Sequence, residues 1–327
     1  KGYQGNNLAD GEHIAACLKH YIGYGASEAG RDYVYTEISP QTLWDTYMLP
    51  YEMGVKAGAV TLMSGFHDIS GVPASANHYT MREVLKGRWS HDGFVVSDWG
   101  SIVQLISQGA AEDLKEASEK AIMAGVDMDM MSRGYDKYLK ELVGEGKVPV
   151  EIVDDAVRRI LRLKFRLGLF ENPYIDEKKV SQVLFSAEHR ETALEMARKS
   201  IVLLKNDNDL LPLDSDRYKK VFVTGPNADN QTILGDWAFE QPDSCVTTVI
   251  EGLRMVSPQT DFDFFPFATN LRTMEMSRVL QAKDRARKAD LAIVVVGENS
   301  MRYMWKDKTC GENVDRYELS LVGLQQQ

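Results

Sequence analysis

The chain has 327 residues, 44% of them hydrophobic and 26% charged, which suits two folded domains and excludes a disordered tract. Its formal charge of −10 argues against a nucleic-acid partner, because binding phosphate backbones takes clustered Lys and Arg. No apolar run approaches the ~20 residues of a membrane span; Cys17, Cys245 and Cys310 lie too far apart for a disulfide framework or a zinc site.

Through the first half, short apolar runs alternate with amphipathic stretches, the pattern of βα units on a parallel sheet. Strands are predicted at 14–18, 59–63, 94–97 and 126–130. A helix is predicted over 40–56, where Leu43, Tyr47 and Met48 recur at helical spacing. Two more are predicted at 137–145 and 151–167, the second placing Val153, Val157, Ile160, Leu161 and Lys164 near one face, with Gly168 as its stop. Polar or reactive residues follow each strand: Lys19 and His20, Ser64, Asp98 and Trp99, and Ser132. In a (β/α)8 barrel the active site is built at those carboxyl ends. Four units leave two readings open, an open sheet or a chain that begins in mid-barrel.

Residues 171–183, with Pro173 and few periodic apolar positions, read as a break. A helix at 187–199 and strands at 201–204, 221–224 and 291–296 then mark a second α/β domain from about residue 188. The last two strands close on Gly225-Pro226 and Gly297.

The strongest local signal is Phe94-Val95-Val96-Ser97-Asp98-Trp99. A carboxylate projecting from a buried strand end can attack an anomeric carbon and form a glycosyl-enzyme. Trp99 offers an apolar face for a sugar ring. Ser97 or Asp98 would equally suit the N-cap of the next helix. Lys19 and His20 place two donors on the same rim, suited to sugar hydroxyls or simply to a wet surface. Glu312, in Gly311-Glu312-Asn313-Val314-Asp315-Arg316, is either a carboxyl carried on a mobile-type loop or a solvated acidic turn. Asp129 either lines the pocket or satisfies backbone groups. Asn206-Asp207-Asn208-Asp209 lacks the central Gly and distal Glu of a calcium loop and reads as a turn. There is no GxGxxG, Walker A, HExxH or GxSxG run, so nucleotide, zincin and serine-hydrolase chemistries have no support.

Read together, the segments resemble glycoside hydrolase family 3, especially its bacterial periplasmic β-glucosidase branch. The resemblance is carried in order by CLKHYIGYGASEAGRDY, GFHDISGVPAS, WSHDGFVVSDWGSI, AVRRILRLKFRLGLFENPY, SIVLLKNDNDLLPL and GENVDRYELSLVGLQ. It implies the second half of a (β/α)8 TIM-like barrel over 1–175, a linker over 176–187 and part of an α/β sandwich domain over 188–327. It implies Asp98 as nucleophile and Glu312 as acid/base, aligned by Arg316 and Gln325, with Glu298 as the rival carboxyl. Lys19 and His20 become sugar ligands, and Met63 and Trp99 pocket walls. The implied substrate is a β-glucoside or oligosaccharide, with no cofactor or metal, in a periplasmic or secreted protein, although the first residues carry no signal-peptide pattern. A β-xylosidase of the same family, a non-catalytic carbohydrate binder and an inactive fragment are the alternatives. Phe66 and His67 stand where many relatives have Tyr-Asn, Ser90 and His91 replace Gly-Phe, and Val322 takes a position commonly held by Pro. The family's first half-barrel has no counterpart in the sequence, so a piece of a longer protein is expected.

Overall fold

The computed structural model describes residues 1–214, 216–267 and 270–327, which divide into two compact units, Lys1–Phe185 and Ser186–Gln327. In the first unit β1 (Cys17–Tyr21), β2 (Thr61–Ser64) and β3 (Phe94–Val96) form a parallel sheet in chain order. Leu62 pairs with Leu18 on one side and Val95 on the other. Leu62 and Val95 are fully buried, as expected of parallel strands whose returning helices cover both faces.

In this unit two strand predictions change. β1 lies three residues later than the apolar run suggested, leaving Ile14 exposed and burying Tyr21. The register against β2 decides this, because it selects which residues meet the core. Lys19 and His20 therefore sit inside β1 rather than after it. The predicted strand at 126–130 reaches β3 but contributes only one bridge, Val96 to Met128. Asp127 and Met128 both donate to Val95 O, at 2.8 and 3.1 Å, and Ser97 N–H donates to Met128 O at 2.9 Å. The described strands make open sheets, and no closed barrel is among them; closure takes more tilted strands than three.

Residues 40–56 are helical throughout, with a π-type stretch at Leu43–Met48 that buries Leu43 and Met48. Ser39 caps this helix by accepting Thr42 N–H, and Pro40 follows at its first position, where no N–H is needed. The helices at Gly134–Gly144 and Val150–Arg166 match the predicted ones closely. The break at 171–183 instead contains a helix, Glu177–Val183, nucleated by Asp176 accepting Lys178 N–H. A good cap offsets weak periodicity.

The second unit opens with a helix at Ala187–Ser200. Residues 201–204 do not form the predicted strand: Ile201 to Leu204 are all exposed and irregular. An apolar β-branched run becomes a strand only where a neighbouring edge supplies ladder partners. Asn206 brackets Leu211 through its side-chain amide, Oδ1 accepting Leu211 N–H at 2.8 Å and Nδ2 donating to Leu211 O at 3.0 Å, which fits a turn there. β4 (Lys220–Gly225) is the centre of a parallel sheet flanked by β5 (Asp261–Pro266) and β6 (Leu291–Val294). Its residues alternate between two cores, Val221 and Val223 packing with Ile250, and Phe222 with Phe265 and Ala282. β5 has no counterpart among the predicted strands, because Asp261 and Asp263 interrupt its apolar pattern. Among the described residues no helix is long and apolar enough to cross a membrane.

Candidate active site

β3 delivers Asp98 by the shortest route: two buried valines, then Ser97, then the carboxylate. Ser97 Oγ accepts Met130 N–H at 2.8 Å, which ties the strand end to the next segment. Asp98 is only 8% exposed. Its Oδ1 accepts Trp99 N–H at 2.7 Å and its Oδ2 lies 3.3 Å from His20 Nε2. The N-cap alternative is not what forms. The helix Ser101–Ser107 is capped by Gly100 at φ 71°, with no side-chain cap.

His20 is half-buried, and its ring meets Tyr24 edge-on at 5.5 Å. Tyr24 in turn stacks on His67 at 4.9 Å. His67 is fully buried, with Nε2 2.7 Å from Ile22 O. Burial lowers the His67 pKa from its ordinary value, although the Ile22 carbonyl and Asp68 oppose the shift. Burial likewise raises the Tyr24 phenol, opposed by the N–H of Tyr33 and reinforced by Asp32. The ring stack behind His20 is thus neutral at ordinary pH. Lys19 is exposed on β1, Met63 is half-buried on β2 opposite Val96, and Trp99 is 65% exposed.

The remaining strand-end candidates are structural. Ser64 Oγ bonds Ser75 Oγ at 2.8 Å, and Ser75 Oγ bonds Ser101 Oγ at 2.9 Å, a buried hydroxyl chain. Ser132 Oγ accepts Val103 N–H. Asp129 accepts the N–H groups of Ser132, Gly134 and Tyr135, which settles it as a backbone acceptor.

Glu312 belongs to the second unit. Its carboxylate pairs with Arg302 Nη2. Its backbone N–H donates to Asp236 Oδ2 at 2.8 Å, and its carbonyl accepts from Lys308 Nζ at 3.0 Å. Asp236, Arg302 and Lys308 carry no local motif, and Asp236 lies 76 residues from Glu312. The rival Glu298 makes the corresponding ion pair, with Oε1 2.5 Å from Arg316 Nη1. Gln325 Oε1 accepts Gly297 N–H at 2.9 Å, so both aligning residues act at the β6 end of the loop. Among the described residues, no three His, Cys, Asp or Glu side chains converge as a metal site requires.

A parallel α/β unit with an aspartate at a strand's carboxyl end, followed by a second parallel α/β unit with a glutamate on a loop, defines a two-unit carboxylate protein. Residues 1–163 match the glycosyl hydrolase family 3 N-terminal domain and residues 201–327 its C-terminal domain. The chain belongs to glycoside hydrolase family 3. It is 33% identical over 325 residues to a periplasmic β-glucosidase of Salmonella typhimurium, covering 91% of this chain and 42% of that one. It is 31% identical to a β-xylosidase of Formosa agariphila, covering 99% and 46%. The crystal structure of a Listeria innocua β-glucosidase in complex with glucose superposes with a TM-score of 0.89 at 33% identity, covering 99% of this chain and 43% of that one. The chain thus spans less than half the length of these relatives.

Proposed function

We propose that the full-length protein is a retaining, exo-acting β-glucosidase that removes terminal non-reducing β-D-glucosyl residues. Asp98 attacks C1 and the C1–oxygen bond to the leaving group breaks, giving a covalent glycosyl-aspartate, while Glu312 gives its proton to the departing oxygen. Glu312, now ionised, takes a proton from water, whose oxygen attacks C1 and frees Asp98. This geometry calls for the two carboxyl groups ~5–5.5 Å apart. Lys19 and His20 hydrogen-bond the sugar hydroxyls, and Met63 and Trp99 form the pocket wall. No metal or cofactor is called for.

The observation that carries the reading is the placement of Asp98: nearly buried, at a parallel-strand carboxyl end, and within 3.3 Å of His20. On the same reading residues 1–175 are the carboxyl half of a barrel, 176–187 a linker and 188–327 part of an α/β sandwich. The periplasmic relative supports an extracytoplasmic location, periplasmic or secreted.

Incubating the full-length protein with an activated 2-fluoro-glucoside tests the assignment. A mass increment on the peptide containing Asp98 supports it; turnover with the label on another carboxylate removes it. A second reading, β-xylosidase, is favoured by the Formosa agariphila relative. Comparing kcat/KM on aryl glucoside and aryl xyloside decides between them.

A further inference from the structure

We propose that Asp236 is a positioning residue for Glu312, clamping the Glu312 peptide so that its carboxyl leaves the loop in one direction. This inference rests on Glu312 being the acid/base.

Asp236 Oδ2 accepts two hydrogen bonds, from Glu312 N–H at 2.8 Å and from Lys308 Nζ at 2.9 Å. Lys308 Nζ also donates to Glu312 O, so the N–H and C=O of one residue are held by one ion pair. The Lys308 side chain is 1% exposed and its Nζ lies 4.5 Å from the Trp305 ring. A solvated acidic turn has no use for a buried lysine beneath it, since burying an ammonium is costly unless it is paired. Asp236 Oδ1 accepts Trp237 N–H at 2.8 Å and stands 3.4 Å from Arg302 Nε, while the same guanidinium reaches the Glu312 carboxylate. The neighbouring backbone is fitted to the clamp. Gly311 has φ +89°, and a Cβ there would lie 2.5 Å from Asp236 Oδ2. Upstream, Thr309 N–H donates to Asn299 O at 2.7 Å and Asn299 N–H to Thr309 Oγ1 at 2.8 Å, closing the base of the loop.

Burial works against the Asp236 charge, but Lys308 and the N–H groups of Glu312 and Trp237 outweigh it and hold its pKa below the ordinary value. Asp236 therefore stays an anion through the reaction. Its charge also shares Arg302 with Glu312, which keeps that guanidinium from belonging to the acid/base alone. Proton transfer demands a donor within hydrogen-bond reach of the glycosidic oxygen, and a misplacement of about 1 Å costs on the order of 100-fold. A clamp on the peptide controls that placement.

The test uses the full-length enzyme and a pair of aryl glycosides of one sugar, 2,4-dinitrophenyl and phenyl, read as kcat/KM. The first leaving group needs no proton, whereas the second does. Asp236→Asn is expected to lower the phenyl value ~10- to 100-fold and the dinitrophenyl value by less than ~3-fold. Gly311→Ala, which pushes Asp236 off the amide without removing its charge, is expected to give the same split and serves if Asp236→Asn does not fold. Equal losses on both substrates, or no loss on either, overturn the inference. Glu312→Gln is measured alongside. If it lacks the split, the acid/base reading itself falls; if it shows the split and neither Asp236→Asn nor Gly311→Ala does, only the clamp falls.

Discussion

His20 Nε2 stands 3.3 Å from Asp98 Oδ2, although β1 and β3 are not neighbours and β2 runs between them. Parallel strands all present their carboxyl ends on one side, so side chains from alternate strands can meet over the rim. The imidazole also meets the Tyr24 ring edge-on at 5.5 Å, which holds it against the rim. His20→Ala is expected to lower kcat/KM on an aryl glucoside roughly 10- to 100-fold, because it removes the side chain that stands against the Asp98 carboxylate and helps place it. The melting temperature should move little, because the residue is half-exposed. Activity within twofold of the parent would mean that the contact is incidental.

Beneath the same sheet, Lys86 Nζ lies 2.6 Å from Asp127 Oδ1, with side chains 5% and 0% exposed. Asp127 Oδ2 also accepts Val95 N–H at 2.8 Å, so the pair fixes β3 itself. Burial pushes the Lys86 pKa down to about 8, with Asp127 pulling the other way. Lys86→Met strands the aspartate charge and is expected to cost about 3–5 kcal/mol. Lys86→Met combined with Asp127→Asn should recover part of that loss. Denaturation of the full-length variants checks it, and a double variant no more stable than Lys86→Met alone contradicts the argument.

Gly93 directly precedes β3, where the chain has no room. A Cβ there would lie 1.9 Å from Val60 O, a backbone atom that cannot move without shifting β2. Gly93→Ala is therefore expected to destabilise the protein by more than ~2 kcal/mol and to lower activity with it, since Asp98 follows five residues later. Gly100→Ala is the contrast. Its Cβ would meet only Val103 at 3.7 Å, so the cost is the positive φ alone, about 1 kcal/mol. If thermal melting ranks the two the other way, close approach is not what Gly93 provides.

The sequence carried most of what position along the chain can encode. Buried strands read clearly where apolar residues run together, as at Phe94–Val96 and Lys220–Gly225, and the Asp98 placement followed directly from the first. Pairing was not legible. The β1 register moved Lys19 and His20 into the strand, and Ile201 to Leu204 found no ladder despite their composition. β5 was hidden by the reverse case, two aspartates in a strand whose phenylalanines pack inward. The surroundings of Glu312 were least accessible, because Asp236 and Lys308 meet it through contacts that no short motif predicts.

His91 lies just before β3 and is buried. The ring is 4% exposed and its Nε2 is buried without a hydrogen-bond partner. Burial pushes its pKa down to about 4 from an ordinary value of 6.5, with Asp92 opposing and Arg159 and Lys86 reinforcing the shift. The unfolded chain therefore takes up a proton near pH 6.5 that the folded chain refuses until about pH 4. Stability is fully present above 6.5 and is lost as pH falls through that window, by roughly 3 kcal/mol at the lower end. Arg159 binds the His91 carbonyl at 2.8 Å, and a substitution leaves that contact in place. His91→Phe removes both the orphaned nitrogen and the titration. Its melting temperature, relative to the parent, is expected to rise more at pH 5 than at pH 7.5. An equal shift at both pH values would show that His91 is not the group through which acid destabilises this unit.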